Sequence, residues 1–136
     1  MTRGRHPTKA LTEAVETGGK RGCVEMVAGR RGRAFDFLII EPSRVVFVKV
    51  KRSQTSFTYP TEALARYGRE IASLHRVALT QATAREFWVR SPAGEWQYFL
   101  IRHDSVIEVR SDGMYIPCEE LPLEAGSPVE STADGE

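Results

Sequence analysis

The chain has 136 residues, of which 41% are hydrophobic, and carries 19 Lys and Arg against 18 Asp and Glu. That length fits one small domain with a modest core. No apolar run approaches the roughly 18 residues of a membrane-spanning helix, and no apolar segment follows the first seven residues. We therefore expect neither a signal peptide nor a membrane anchor, and place the protein in the cytoplasm. Cys23 and Cys118 lack metal-type spacing, which favours reduced thiols.

The small net charge hides a strong asymmetry along the chain. Residues 1–54 carry 12 Lys and Arg against 5 Asp and Glu, a net charge of +7, whereas residues 112–136 carry 7 acids and no base. A basic half suits a polyphosphate partner, because each neutralised phosphate releases counterions. Charged ends that only solvate a small fold would give the same pattern. We predict one domain over residues 1–117 and a disordered acidic tail over residues 118–136.

Apolar periodicity and turn residues predict the elements in chain order. In the first half we expect a helix, a strand, an arginine-rich turn and a hairpin, over Thr8–Thr17, Cys23–Ala28, Gly29–Arg33 and Ala34–Ser53. In the second half we expect a helix from Pro60 with a buried stripe, a short buried strand, a second hairpin and a further strand pair. The stripe is Leu64, Tyr67, Ile71 and Leu74, and the strands are Val77–Leu79, Phe87–Arg90 with Glu95–Ile101, and Ser105–Val109 with Met114–Ile116.

The first hairpin carries charged side chains inside its apolar pattern. If the turn centres on Pro42 and Ser43, Glu41 faces Arg44 and the same register sets Asp36 opposite Lys49. Directly opposed residues have Cβ atoms roughly 5 Å apart. We therefore predict an ion pair between Asp36 and Lys49.

An acid on one strand followed by acid-x-Lys on the next resembles the signature of the PD-(D/E)XK nucleases. Asp36 matches the first acid and Lys51 the lysine, whereas Lys49 stands where the second acid would be. The predicted element order is similar to the restriction-endonuclease-like core, an α/β (α+β) fold, over roughly residues 7–101. Within that superfamily the chain most resembles archaeal-type Holliday junction resolvase-like (tRNA endonuclease-like) domains.

The resemblance implies two carboxylates that hold Mg²⁺ or Mn²⁺ and a lysine that assists the attacking water. Lys49 removes one oxygen ligand and brings a positive charge next to the cation, so we expect no cofactor. Asp36 is a metal ligand only in an active enzyme, which would recruit its missing acid from Glu13, Glu16 or Glu25. If Ala28 paired with Ala34, Glu25 would oppose Phe37 and point away from Asp36; another loop length would reverse that parity.

Three functions remain open at this point. The first is a DNA-binding module on a nuclease fold without metal catalysis, the second an active Mg²⁺-dependent endonuclease, and the third a protein–protein interaction subunit. The expected phosphate contacts are Arg30, Arg31, Arg33, Lys49, Lys51 and Arg52. The resemblance also implies a homodimer on branched DNA. We expect no membrane partner and no small-molecule cofactor.

Overall fold

The computed structural model describes residues 8–27 and 33–116. Helix α1 (Thr8–Gly19) precedes strands β1 (Cys23–Met26), β2 (Phe37–Ile40) and β3 (Val45–Arg52). Two short helices follow, α2 (Pro60–Arg66) and α3 (Gly68–Leu74), and then β4 (Thr83–Arg90), β5 (Trp96–Ile101) and β6 (Val106–Val109). None of the helices in these two ranges is long and apolar enough to cross a membrane.

The six strands form one sheet in the order β1-β2-β3-β4-β5-β6. Neighbouring strands are antiparallel except β3 and β4, which are parallel with Val45 beside Thr83 and Arg52 beside Arg90. A parallel pair needs a long crossover, and α2 and α3 supply it. The C-terminal ends of β3 and β4 therefore lie together at one end of the sheet.

Alternation along the strands divides the core into two layers. Val46, Val48 and Val50 of β3 pack with Phe37 and α1 on one face. On the other face, α2 and α3 cover an apolar cluster of β4 and β5 that includes Phe87 and Phe99. Fully burying an apolar side chain of this size contributes roughly 1.5–3 kcal/mol, so these two layers hold the sheet between its helices.

The first hairpin has the predicted register. Phe37 pairs with Val48 and Ile40 with Val45. The Glu41 amide donates to Arg44 O at 2.8 Å, and the two side chains form an ion pair. Alternation along the strands and the residues of the turn were therefore sufficient to predict this register.

A buried ionic network closes the hairpin end of the sheet. Arg21, whose side chain is 4% exposed, donates to Glu41 at 2.8 Å and to Glu86 at 2.9 and 3.0 Å. Glu86 is fully buried and also accepts from Trp88 Nε1 at 2.8 Å. The network links the α1–β1 turn, the β2–β3 turn and β4, and Arg44 completes it through Glu41.

Three expectations for the second half of the chain need correction. The helix after Pro60 breaks at Tyr67 (φ −118°, ψ 39°), and Leu64 is 42% exposed, so it is not part of the buried stripe. Val77–Leu79 is not a strand; β4 begins at Thr83 instead. The β6 strand is confirmed, and Tyr115 bridges Val109.

Candidate nucleic-acid interface

Asp36 sits immediately before β2 and breaks the ladder between β2 and β3. Its amide donates to Val48 O at 2.7 Å, although Val48 is already the strand partner of Phe37. Two consecutive residues therefore face one, which is the geometry of a β-bulge. The Asp36 carboxylate then accepts from the Val50 amide at 2.7 Å and so replaces a backbone carbonyl in the ladder.

The second carboxylate oxygen of Asp36 is bound by Arg33. Arg33 Nη2 lies 3.2 Å from Asp36 Oδ1, and both side chains are about 15% exposed. Lys49 Nζ donates to Arg33 O at 3.0 Å. The predicted ion pair between Asp36 and Lys49 is therefore wrong. The bulge turns the Asp36 carboxylate toward the Val50 amide, and the Arg33 guanidinium binds its other oxygen. Lys49 therefore binds the carbonyl of Arg33 instead of Asp36.

Lys51 and Arg52 end β3 and, as consecutive strand residues, point to opposite faces of the sheet: Lys51 to the side covered by the α2–α3 junction and Arg52 to the side of Val50 and α1. Lys51 Nζ lies 3.4 Å from Glu70 Oε2 of α3, and the Lys51 side chain is 44% exposed. Arg52 is exposed, and its carbonyl accepts from the Tyr67 hydroxyl at 3.4 Å. No local pattern pairs Glu70 with Lys51, because the two residues meet only through the crossover between β3 and β4.

Glu13 and Glu16, two of the acids that could replace the second ligand, lie on helix α1. Glu13 on α1 accepts from Arg90 Nε at 2.9 Å and from Trp96 Nε1 at 2.9 Å. The hydrogen bond from Arg90 and then that from Trp96 lower the pKa of Glu13 to about 2. Glu16, on the same helix, is exposed.

The register of β1 differs by one residue from the one considered. Glu25 pairs with Leu38 instead of Phe37, so it takes the same face as Leu38. It is exposed, with Cys23 Sγ 3.9 Å from its Oε2. The loop that sets this parity includes Arg30 and Arg31, which lie outside the described residues.

The side chains at the signature positions do not fit a divalent cation as they are placed. Mg²⁺ prefers oxygen ligands in octahedral geometry. The three positions offer one carboxylate, already bound by a guanidinium and an amide, and two lysine ammonium groups. Within residues 8–27 and 33–116, no group of three His, Cys, Asp or Glu side chains is placed to hold a metal ion.

The same architecture occurs in a solved nuclease. The chain is similar to Hjc, a Holliday junction resolvase from the archaeal hyperthermophile Archaeoglobus fulgidus, with a TM-score of 0.50 and 15% sequence identity. The match covers 75% of this chain and 86% of the resolvase. The fold is restriction-endonuclease-like. No family model and no curated protein matches the sequence. At this identity the likeness establishes the nuclease-like fold, and the side chains must be argued from their own contacts.

Proposed function

We propose that this chain is a DNA-binding protein that uses its nuclease-like fold without metal catalysis. The observation that carries the proposal is the ion pair between Arg33 and Asp36. Arg33 gives Asp36 the positive partner that a metal ion supplies in the nuclease signature. Both remaining signature positions, Lys49 and Lys51, are lysines, so this end of the sheet attracts phosphate.

The charges of the described residues support a phosphate surface at this place. Lys49 and Lys51 share one face of β3, Arg52 ends the strand on the other face, and Lys49 Nζ binds the carbonyl of Arg33. The carboxylates of Asp36 and Glu70, which contact this group, are each paired with a cation, Arg33 and Lys51. A surface of this composition binds a polyanion through counterion release and reads shape or phosphate rather than base sequence.

The preferred partner follows from the resolvase likeness and is part of the proposal. Hjc is a Holliday junction resolvase, so we propose that this chain binds branched DNA in preference to linear duplex and does so as a homodimer. We also keep the cytoplasm as the proposed location. Arg30 and Arg31 belong to the proposed phosphate contacts as well.

A pair of gels on the same reactions tests the proposal. Labelled four-way junction and matched linear duplex are incubated with the full chain in Mn²⁺, Mg²⁺ or EDTA, and each reaction is run on a native and a denaturing gel. The expected result is a shift that is equal in EDTA and in metal, stronger for the junction, with intact strands. The matched pair Lys51→Ala and Lys20→Ala each removes one exposed charge, and only Lys51 lies at the proposed surface.

The alternatives are outcomes of the same gels. Metal-dependent cutting abolished by Asp36→Ala would mean that another acid completes a metal site, and the proposal would fail. If the gels show neither a shift nor cutting, the protein–protein interaction subunit remains as the function. Light scattering of the protein with and without junction DNA tests the homodimer independently.

A further inference from the structure

A cleft beside the C-terminal end of β3 has the chemistry of a second phosphate site. It lies between the loop after β3 and helix α2, is open to solvent and has a volume of about 530 Å³. It is lined by the polar residues Thr55, Ser56, Glu62 and Arg66 and by the apolar residues Phe57 and Ala65. None of these residues belongs to the nuclease signature.

The loop wall of the cleft is held in place by hydrogen bonds at both ends. Ser53 is 4% exposed, accepts from the Thr55 amide at 3.1 Å and donates to Thr55 O at 2.8 Å. Gln97 of β5 binds both backbone groups of Phe57, at 2.9 Å to the amide and 2.7 Å to the carbonyl. The hydroxyl groups of Thr55 and Ser56 are therefore presented on a preorganised wall, which reduces the entropy cost of binding.

The helix wall is tied to the proposed DNA surface. Tyr67, where α2 ends, donates its hydroxyl to Arg52 O, and Glu70 on α3 pairs with Lys51. Arg66 and Arg69 flank Tyr67, and both are exposed. The carboxylate of Glu62, the acid in the cleft, accepts from the amides of Thr58 and Tyr59 at the start of α2. These two hydrogen bonds and the positive end of the helix dipole partly offset the negative charge of Glu62.

We propose that this cleft binds a phosphate of the same nucleic-acid backbone that passes Lys51, with Arg66 as the charged contact and Thr55 and Ser56 as hydroxyl donors. The inference rests on the proposed DNA binding and extends the contact surface from β3 onto the α2–α3 junction. A backbone that engages both places crosses the end of the sheet instead of running along one strand.

Salt-dependent binding tests the cleft. The anisotropy of a fluorescent four-way junction is titrated with the full chain in EDTA at several salt concentrations, for wild type, Arg66→Ala, Arg66→Lys, Lys51→Ala and Arg52→Ala. Each lost phosphate contact lowers the magnitude of the slope of log K against log salt by roughly 0.9. We expect Arg66→Ala to show that loss and a several-fold weaker affinity, and Arg66→Lys to recover the slope because it keeps the charge.

Arg102→Ala is the matched control. Arg102 is exposed and follows β5 at the far end of the sheet, so its removal changes the net charge equally without touching the cleft. Thermal unfolding followed by circular dichroism checks that each variant is folded. If the Arg66→Ala titration overlays that of Arg102→Ala while Arg52→Ala binds more weakly, the cleft is excluded and the proposed function stands. If wild type does not bind, or Arg52→Ala and Lys51→Ala bind as wild type does, the proposed surface and the cleft fail together.

Discussion

Arg33 Nη2 lies 3.2 Å from Asp36 Oδ1, while the other oxygen of Asp36 accepts the Val50 amide at 2.7 Å. One carboxylate thus completes a β-bulge and neutralises a guanidinium in the same place. Both are structural tasks, and both occupy the atoms that a metal ion would need. The chemistry of this site is set by the bulge, which determines where the carboxylate points.

The first prediction concerns the structural role of Asp36. Asp36→Ala removes the acceptor of the Val50 amide, and an unsatisfied amide costs about 1–3 kcal/mol. Asp36→Asn keeps an acceptor and should cost less. Urea unfolding of the two variants and of wild type gives the comparison. Equal stability of Asp36→Ala and wild type would mean that the carboxylate does not support the bulge.

The second prediction tests the proposal that Lys49 and Arg33 exclude a metal ion from the signature positions. Lys49→Glu adds a carboxylate at the second signature position, and Arg33→Ala removes the cation bound to Asp36. We expect wild type to bind no Mn²⁺ in calorimetry or electron paramagnetic resonance, and the double variant to bind it, because oxygen ligands replace positive charges. Binding of Mn²⁺ by wild type that Asp36→Ala abolishes would refute the proposed replacement.

The third prediction is a substitution that tightens DNA binding, whereas most substitutions in a binding surface weaken it. Glu70→Gln removes the carboxylate that pairs with Lys51, so it should tighten DNA binding. An exposed pair of this kind contributes about 0–1 kcal/mol, which corresponds to at most roughly a fivefold gain in affinity. Glu95→Gln, an exposed acid in the β4–β5 turn, controls for net charge. Unchanged or weaker binding by Glu70→Gln alone would place Lys51 outside the interface.

The fourth prediction follows from Glu13. Its folded pKa is about 2, below the ordinary value of 4.5, mainly because Arg90 and Trp96 donate to it. A depressed carboxyl pKa stabilises the fold fully above the unfolded pKa, and the contribution disappears as the pH falls from about 4.5 through about 2. The melting temperature of Glu13→Gln should therefore fall less steeply than that of wild type over this window. Parallel curves would show that the contact adds nothing to stability.

The fifth prediction compares two arginines of the ionic network. Arg21 is almost fully buried between Glu41 and Glu86, so Arg21→Ala should cost about 3–5 kcal/mol because it leaves buried carboxylates without their partner. The side chain of Arg44 is 32% exposed, so Arg44→Ala should lower the free energy of unfolding by only about 0–1 kcal/mol. Urea midpoints measure both. Similar losses for the two variants would contradict the difference in burial.

The parts of the fold that local patterns determine were predictable. The hairpin register follows from alternation and the Pro42-Ser43 turn, and it is correct. The start of β4 was missed because Arg85 and Glu86 interrupt its apolar pattern. Both are buried: Arg85 binds the carbonyls of Val77 and Ile101, and Glu86 binds Arg21 and Trp88. Such partners come from distant elements, so no window of sequence contains them.

In the candidate site, too, local features could be predicted and contacts with distant elements could not. The positions of Asp36, Lys49 and Lys51 on a hairpin could be predicted, but their partners could not. Arg33 binds Asp36 from a loop, and Glu70 binds Lys51 across the crossover. A cue for the break at Tyr67 was present, since Gly68 follows it and glycine lowers helix propensity.

The charged side chains at the two ends of the sheet differ in their exposure to water. Around the β2–β3 turn, Arg21, Glu41 and Glu86 are withdrawn from water and bound to one another, whereas Lys51, Arg52 and Arg66 at the other end remain exposed. Changes of residue at the exposed end should therefore have little effect on folding, and their effects on stability should add to those of changes in the network. Such a molecule can acquire a new partner by surface substitution while its scaffold stays constant.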